Sequence, residues 1–219
     1  MVEVDIRMTK DDVAVLMHAA EVDLTTSGAG PVGDLTWDEI QGFDAGSWRN
    51  PRYAGQRVLS LGEVLDFCRG RVALNLDAQI PAAVEPVAAA VIEAGLTDEV
   101  VITGCSADCV ETVASMDGRI TTLLNPDELL EGIERWEAGE IVRLSLDVAK
   151  EVGAAGINIR HSLVDTDLIA RATEVGVAVW AYVIDDEARF GELIDMGVSS
   201  LTTNWPARMF KVAREGATR

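Results

Sequence analysis

Val72–Gly104 reads VALNLDAQIPAAVEPVAAAVIEAGLTDEVVITG, and its rhythm decides the fold. The apolar run Val72–Asp77 predicts a strand. Pro81 suits the first turn of a helix, where its missing N–H is not needed, and Gly95 suits a left-handed C-cap. A second apolar run, Val100–Gly104, predicts the next strand.

The same alternation extends in both directions. Further strands are predicted at Val2–Ile6, Val13–His18, Ile120–Leu124, Gly156–Arg160, Val177–Ile184 and Ser199–Thr203. Helices are predicted at Leu61–Arg69, Ala107–Met116, Pro126–Ala138, Asp147–Val152, Asp165–Gly176, Asp185–Gly197 and Pro206–Gly216. Near-continuous apolar strands separated by helices mean a parallel β/α architecture. An open doubly wound sheet would show a glycine-rich phosphate loop after its first strand, and the sequence has neither GxGxxG nor GxxxxGKS. The count of units and the short connections predict an α/β fold of the (β/α)8 TIM-like barrel class, as one domain over residues 1–219.

Residues 19–57 break the rhythm. They are rich in Gly, Thr, Asp and Trp and follow a hairpin turned at Lys10-Asp11-Asp12. A connection of this length is usually functional, so it reads as an insertion over the barrel mouth, with short helices around Thr36–Gly42.

Composition bounds the function. The 219 residues carry 37 acidic and 18 basic side chains, a formal net charge of −19. An apolar content of 48% is too high for a disordered acidic tail. The charge repels phosphate backbones and no basic stripe is present, which excludes nucleic acid as a partner. No apolar run approaches the ~20 residues of a membrane span, and the N-terminus lacks a signal-peptide pattern. Three cysteines make no disulfide framework, which favours a reducing compartment and a cytoplasmic location. Lysines are confined to Lys10, Lys150 and Lys211. An acidic, lysine-poor surface suits a salt-rich cytoplasm, where the Debye length shrinks to ~3 Å at 1 M. An ordinary acidic protein from a GC-rich genome has the same composition.

Three groups of residues could carry chemistry. Glu3 and Asp5 are two apart on a strand and therefore share a face. Two carboxylates on one buried face are costly unless they hold a cation or a basic partner, and a hard divalent ion with oxygen ligands is the economical explanation. On a solvated terminus they would need none. Asp77 ends its strand, where barrel active sites lie, and could add a third oxygen or serve as a cap. His18 also ends a strand, beside these carboxylates, and could act as general acid or base. His161 follows a strand as well, and a surface or capping role suits it better. Cys105 and Cys109, spaced to share a helix face, read as buried small hydrophobes rather than a zinc site. Trp37, Trp48 and Tyr53 read as local packing of the insertion, with a ligand-cleft wall as the alternative.

A series of motifs then resembles the glycerophosphodiester phosphodiesterase family from end to end. It begins with Glu3-Val4-Asp5-Ile6, Thr9-Lys10-Asp11 and the strand ending at His18. It continues through Thr25–Gly30, Leu35–Ile40, Asp44–Trp48, Tyr53-Ala54-Gly55 and Ser60–Leu65. It closes with Val179-Trp180, Gly197-Val198 and Leu201–Pro206. The resemblance implies hydrolysis of phospholipid-derived glycerophosphodiesters to glycerol 3-phosphate and an alcohol. It implies a Ca2+ or Mg2+ ion held by Glu3, Asp5 and Asp77, a catalytic His18, and a substrate contact at Trp180.

The departures are equally specific. The family's initial His-Arg-Gly strand, with its histidine and the helix after it, has no counterpart. Ala19 stands where the family has aspartate, Leu24 where it has arginine, and Asn204 where it has a late aspartate. The Glu-x-Lys pair is Asp77 and Gln79, and Ala181 and Val183 replace a Thr and an Asn. A barrel without its first strand exposes edges at Val2–Ile6 and Ser199–Thr203, which favours a homo-oligomer. The alternative function is a non-catalytic ligand-binding or regulatory homologue.

Overall fold

The computed structural model describes residues 1–126 and 135–216. They fall into two compact units, Met1–Gly104 with Thr112–Thr121, and Cys105–Glu111 with the described chain from Thr122 onward.

In the first unit β1 (Val2–Met8) turns through Lys10–Asp12 into the short antiparallel β2 (Ala14–Leu16), with Ile6 opposite Leu16. Asp12 makes the turn with a positive φ of 60°, a conformation that aspartate tolerates better than most residues. The turn is locked by Asp11, whose carboxylate accepts from the Thr9 hydroxyl and from the Trp37 N–H. On its other side β1 runs parallel to β3 (Leu74–Ala78), which runs parallel to β4 (Val100–Cys105).

The register sorts the two faces. Ile6, Leu74, Leu76, Val100 and Ile102 are buried, as are Val84, Val87 and Val91 along one side of α3 (Pro81–Ala94), which packs on β1 and β3. Glu3 stands beside Asn75, Asp5 beside Asp77, and Asp77 beside Thr103, so the opposite face is polar. Burying that face is tolerated because its groups bond each other, as Thr103 does in donating to the Asn75 side-chain oxygen at 3.0 Å.

Residues 19–57 are built from turns. Three 3₁₀ turns (Val22–Leu24, Val32–Asp34 and Pro51–Tyr53) accompany the single-turn α1 (Trp37–Gln41). Thr36 and Glu39 form a capping box at α1, and Ser60 and Glu63 form another at α2 (Leu61–Cys68). Val15, Met17, Val22, Val32, Ile40 and Val58 make a small separate core. Of the three aromatics expected to pack, Trp37 does so against this core. Trp48 is 53% and Tyr53 39% exposed, so packing is the wrong reading for both.

In the second unit β5 (Thr121–Leu124), β6 (Gly156–Arg160), β7 (Ala178–Tyr182) and β8 (Ser200–Leu201) are parallel neighbours in that order. The helices α6 (Thr166–Val175) and α7 (Glu187–Met196) start on Asp165 and Asp186, which accept from the backbone N–H three residues on. Both end on left-handed glycines, Gly176 and Gly197. The helices α4 (Ala107–Met116) and α8 (Pro206–Gly216) have their expected bounds.

Two expectations are corrected. A single helix, α5 (Arg135–Glu151), replaces separate segments ending at Ala138 and beginning at Asp147. Val142, Leu146 and Ala149 are fully buried at helical spacing, and that apolar stripe carries the helix through the gap. The start of the helix expected at Pro126–Ala138, residues 127–134, lies outside the described residues. Cys105 ends β4 while Cys109 lies in α4, so the two share no helix face, although both are buried.

Candidate active site

The polar face of β1 and β3 brings Glu3, Asp5 and Asp77 together. One carboxylate oxygen from each lies within 4.8 Å of the others. Strand periodicity aligns Glu3 with Asp5, and the β1–β3 register sets Asp77 beside Asp5.

Such a cluster is electrostatically expensive. Burial, reinforced by the charges of Asp5 and Asp77, raises the pKa of Glu3 from 4.5 to about 7. Burial also raises that of Asp5, against the opposing pull of His18 and Arg7. The neighbourhood is shaped to keep the carboxylates in place. Gln79 donates from Nε2 to Asp5 Oδ1 at 2.7 Å. Gly104, at a φ of +75°, leaves room where a Cβ would run into the Asp77 carboxylate and the Ala78 carbonyl.

His18 lies two residues beyond β2 rather than at its end, and it is exposed. Long-range backbone bonds bring it to the carboxylates. The Met17 N–H donates to the Asp5 carbonyl at 3.0 Å. Arg7 Nε donates to the His18 carbonyl at 2.9 Å. Glu3, Asp5 and His18 open into one cleft of about 400 Å³.

The other wall of the cleft comes from the insertion. Trp48 and Arg57 line it, with Met17 and Leu59. Trp48 spends its indole N–H on the Ala45 carbonyl (2.9 Å), which leaves the ring itself as its contact surface. Asp44 braces this wall by accepting from the N–H groups of Gly46, Ser47 and Gly55 at 2.7–2.8 Å. Those bonds hold its carboxyl far below the usual aspartate range.

The remaining sequence candidates fall elsewhere. Trp180 is in the second unit, half-buried on β7 beside Asn158 and Ser200. His161 begins a 3₁₀ turn after β6, where its carbonyl accepts from Arg189. Arg57, Gln79 and Gly104 had no assigned role in the sequence, because each acts through partners distant along the chain.

In this α/β chain the carboxylate cluster on the polar face of β1 and β3 makes a candidate cation site, and its cleft holds a histidine able to act as acid or base. The model of the Glycerophosphoryl diester phosphodiesterase family matches residues 1–208. A glycerophosphodiester phosphodiesterase of Bacillus subtilis is 25% identical over 97% of this chain and 76% of its own length. One from Caldanaerobacter subterraneus is 25% identical over 98% of this chain and 86% of its own. The crystal structure of a glycerophosphodiester phosphodiesterase from Agrobacterium tumefaciens matches with a TM-score of 0.75 and 25% identity, covering 96% of this chain and 85% of that one. A phosphodiesterase from Oleispira antarctica, solved with its product sn-glycerol-3-phosphate, matches with a TM-score of 0.79 and 19% identity, covering 97% and 84%.

The chain belongs to the glycerophosphoryl diester phosphodiesterase family, which are phosphoric diester hydrolases. Its fold class is that of the TIM-barrel structures it matches, as the strand–helix alternation predicts. These matches do not favour the non-catalytic alternative.

Proposed function

We propose that this chain hydrolyses glycerophosphodiesters to sn-glycerol 3-phosphate and an alcohol, assisted by a divalent cation. The observation that carries the proposal is the convergence of Glu3, Asp5 and Asp77 within 4.8 Å, with Glu3 and Asp5 opening into a cleft shared with His18. Oxygen-only donors suit Ca2+ or Mg2+, and burial beside Asp5 and Asp77 raises the pKa of Glu3 to about 7. When bound, the ion neutralises charge on the phosphoryl oxygens and stabilises the transition state.

The residues then divide the work. Glu3, Asp5 and Asp77 would hold the ion. Gln79 holds Asp5 in its orientation through the 2.7 Å bond. As the P–O bond to the alcohol breaks, His18 passes a proton to the departing oxygen, and the oxygen that replaces it on phosphorus comes from water. Trp180 is carried as a substrate contact on the strength of the sequence resemblance. The phospholipid origin of the substrate, a cytoplasmic location, a salt-rich setting and self-association rest likewise on sequence reasoning. Among the described residues no helix is long and apolar enough to cross a membrane.

The test is product release from glycerophosphocholine and glycerophosphoethanolamine, with Ca2+ or Mg2+ and with EDTA. The expected result is sn-glycerol 3-phosphate that EDTA abolishes. No release from any glycerophosphodiester with either ion overturns the reading.

A further inference from the structure

The cleft has an electrostatic problem that Arg57 is placed to solve. Its floor carries the carboxylates of Glu3 and Asp5, with an oxygen of Asp77 within 4.8 Å of theirs, and its proposed substrate is itself an anion. An anion entering such a floor needs cationic partners besides any ion the floor holds. Among the described residues lining the cleft, Arg57 is the arginine, and no lysine lines it.

The guanidinium of Arg57 is only lightly engaged. It donates to Gln41 Oε1 at 3.3 Å, and its nearest carboxylate, on Glu63, is 4.0 Å away. That carboxylate already accepts from the N–H of Ser60 at 2.8 Å and from its hydroxyl at 3.0 Å. The Arg57 side chain is 51% exposed, and so loose and exposed a pair contributes little to stability. Most of the five N–H donors therefore remain for a ligand.

The backbone around Arg57, by contrast, is fixed. The Gln56 carbonyl accepts from the Ala45 N–H at 2.7 Å, and the Leu59 carbonyl accepts from the Leu16 N–H at 2.9 Å. Val58, between them, is buried in the small core. A fixed backbone with an exposed, lightly engaged planar fork at the cleft wall suits bidentate capture of a tetrahedral oxyanion.

We propose that Arg57 binds the substrate phosphate, donating from its guanidinium to the non-bridging phosphoryl oxygens and thereby selecting an anionic diester. This role rests on the phosphodiesterase reading above. The indole of Trp48 lies in the same wall and leaves the guanidinium as its charged element.

The test combines calorimetry of sn-glycerol 3-phosphate binding in Ca2+ with steady-state kinetics on glycerophosphocholine. The proteins are the native chain, Arg57→Gln, Arg57→Lys and, as a control outside the cleft, Arg49→Gln. Arg57→Gln is expected to weaken binding ~10–100-fold, the effect of losing charge-assisted hydrogen bonds. KM should rise more than kcat falls, with Ca2+ affinity and Tm unchanged. Arg57→Lys should fall between, because it keeps the charge and loses the fork. Arg49→Gln should bind as the native chain does.

Native-like binding by Arg57→Gln overturns the proposal while leaving the phosphodiesterase reading intact. If Arg57→Gln does not fold, Arg57→Lys decides. Weakened binding at native Tm supports the role, and native binding overturns it. A native chain that neither binds sn-glycerol 3-phosphate nor cleaves the diester overturns both readings together.

Discussion

The floor and the wall of the cleft are built on opposite principles. The floor carboxylates stand on hydrogen-bonded strands whose register fixes where each side chain points. They are crowded, partly buried and raised in pKa. The wall from residues 18–59 is held by turns, capping boxes and the Asp44 brace, and its functional side chains are exposed. Charge that repels itself needs a scaffold stiff enough to resist it, and a ladder supplies that. Side chains that must meet a substrate need access, which a loop supplies.

The largest expected effects come from the floor. Asp5→Asn should lower kcat by ~10³-fold or more, since a bound cation supplies several kcal/mol of transition-state stabilisation. Calorimetry should show weakened Ca2+ binding, and Tm should not fall, because a repelling charge is gone. A large drop in Tm would break the comparison, by making the floor a structural element. On the wall side, His18→Gln should lower kcat ~10²–10⁴-fold and leave Ca2+ affinity intact. If Ca2+ affinity falls with it, His18 belongs to the floor.

This division also explains what was legible in the sequence. Strand periodicity is local, so Glu3 and Asp5 could be placed on one face from two positions, and Asp77 from its strand end. The strands among the described residues, and helices such as Ala107–Met116, follow from equally local patterns. The motif series from Glu3 to Pro206 added the family, which the family model matches over residues 1–208. The wall was not legible, because it depends on pairings such as Leu16 with Leu59 and Met17 with Asp5. No local pattern announces such bonds. Arg57 therefore carries no local signature, and Trp48 reads from sequence as packing. Gln79 stood out as a departure, but its bond to Asp5 required the two strands to be laid side by side.

Two intermediate effects sharpen the contrast. Gly104→Ala places a Cβ against the Asp77 carboxylate and the Ala78 carbonyl at a positive φ. It should destabilise the chain by about 1–3 kcal/mol in chemical denaturation, through backbone strain and the forced shift of Asp77. Asp44→Ala acts on the wall alone. Hydrogen exchange should speed up at Gly46, Ser47 and Gly55, which lose their acceptor, while β1 and β3 stay protected. KM should rise more than kcat falls, and uniform deprotection of both regions would mean that floor and wall do not open independently.

The smallest effect is a dependence on pH that only the floor should show. Folding raises the pKa of Glu3 from 4.5 to about 7. Between those values the folded chain holds more protons than the unfolded one, so stability must fall as pH rises through the window. Asp5, which burial also raises, adds a change of the same sign in the native chain, whereas Asp44, Asp117 and Asp185 are shifted down and lose their contribution only in acid, below this window. The difference between the native chain and Glu3→Gln isolates it. With EDTA present, the urea midpoint of Glu3→Gln should gain on that of the native chain from pH 5 to pH 8. Ca2+ competes with the proton for the same oxygens, so adding it should shrink the gain at pH 8 and change little at pH 5. Parallel midpoints across the range would mean that Glu3 ionises like a surface group, and the floor would then need no cation to stay folded.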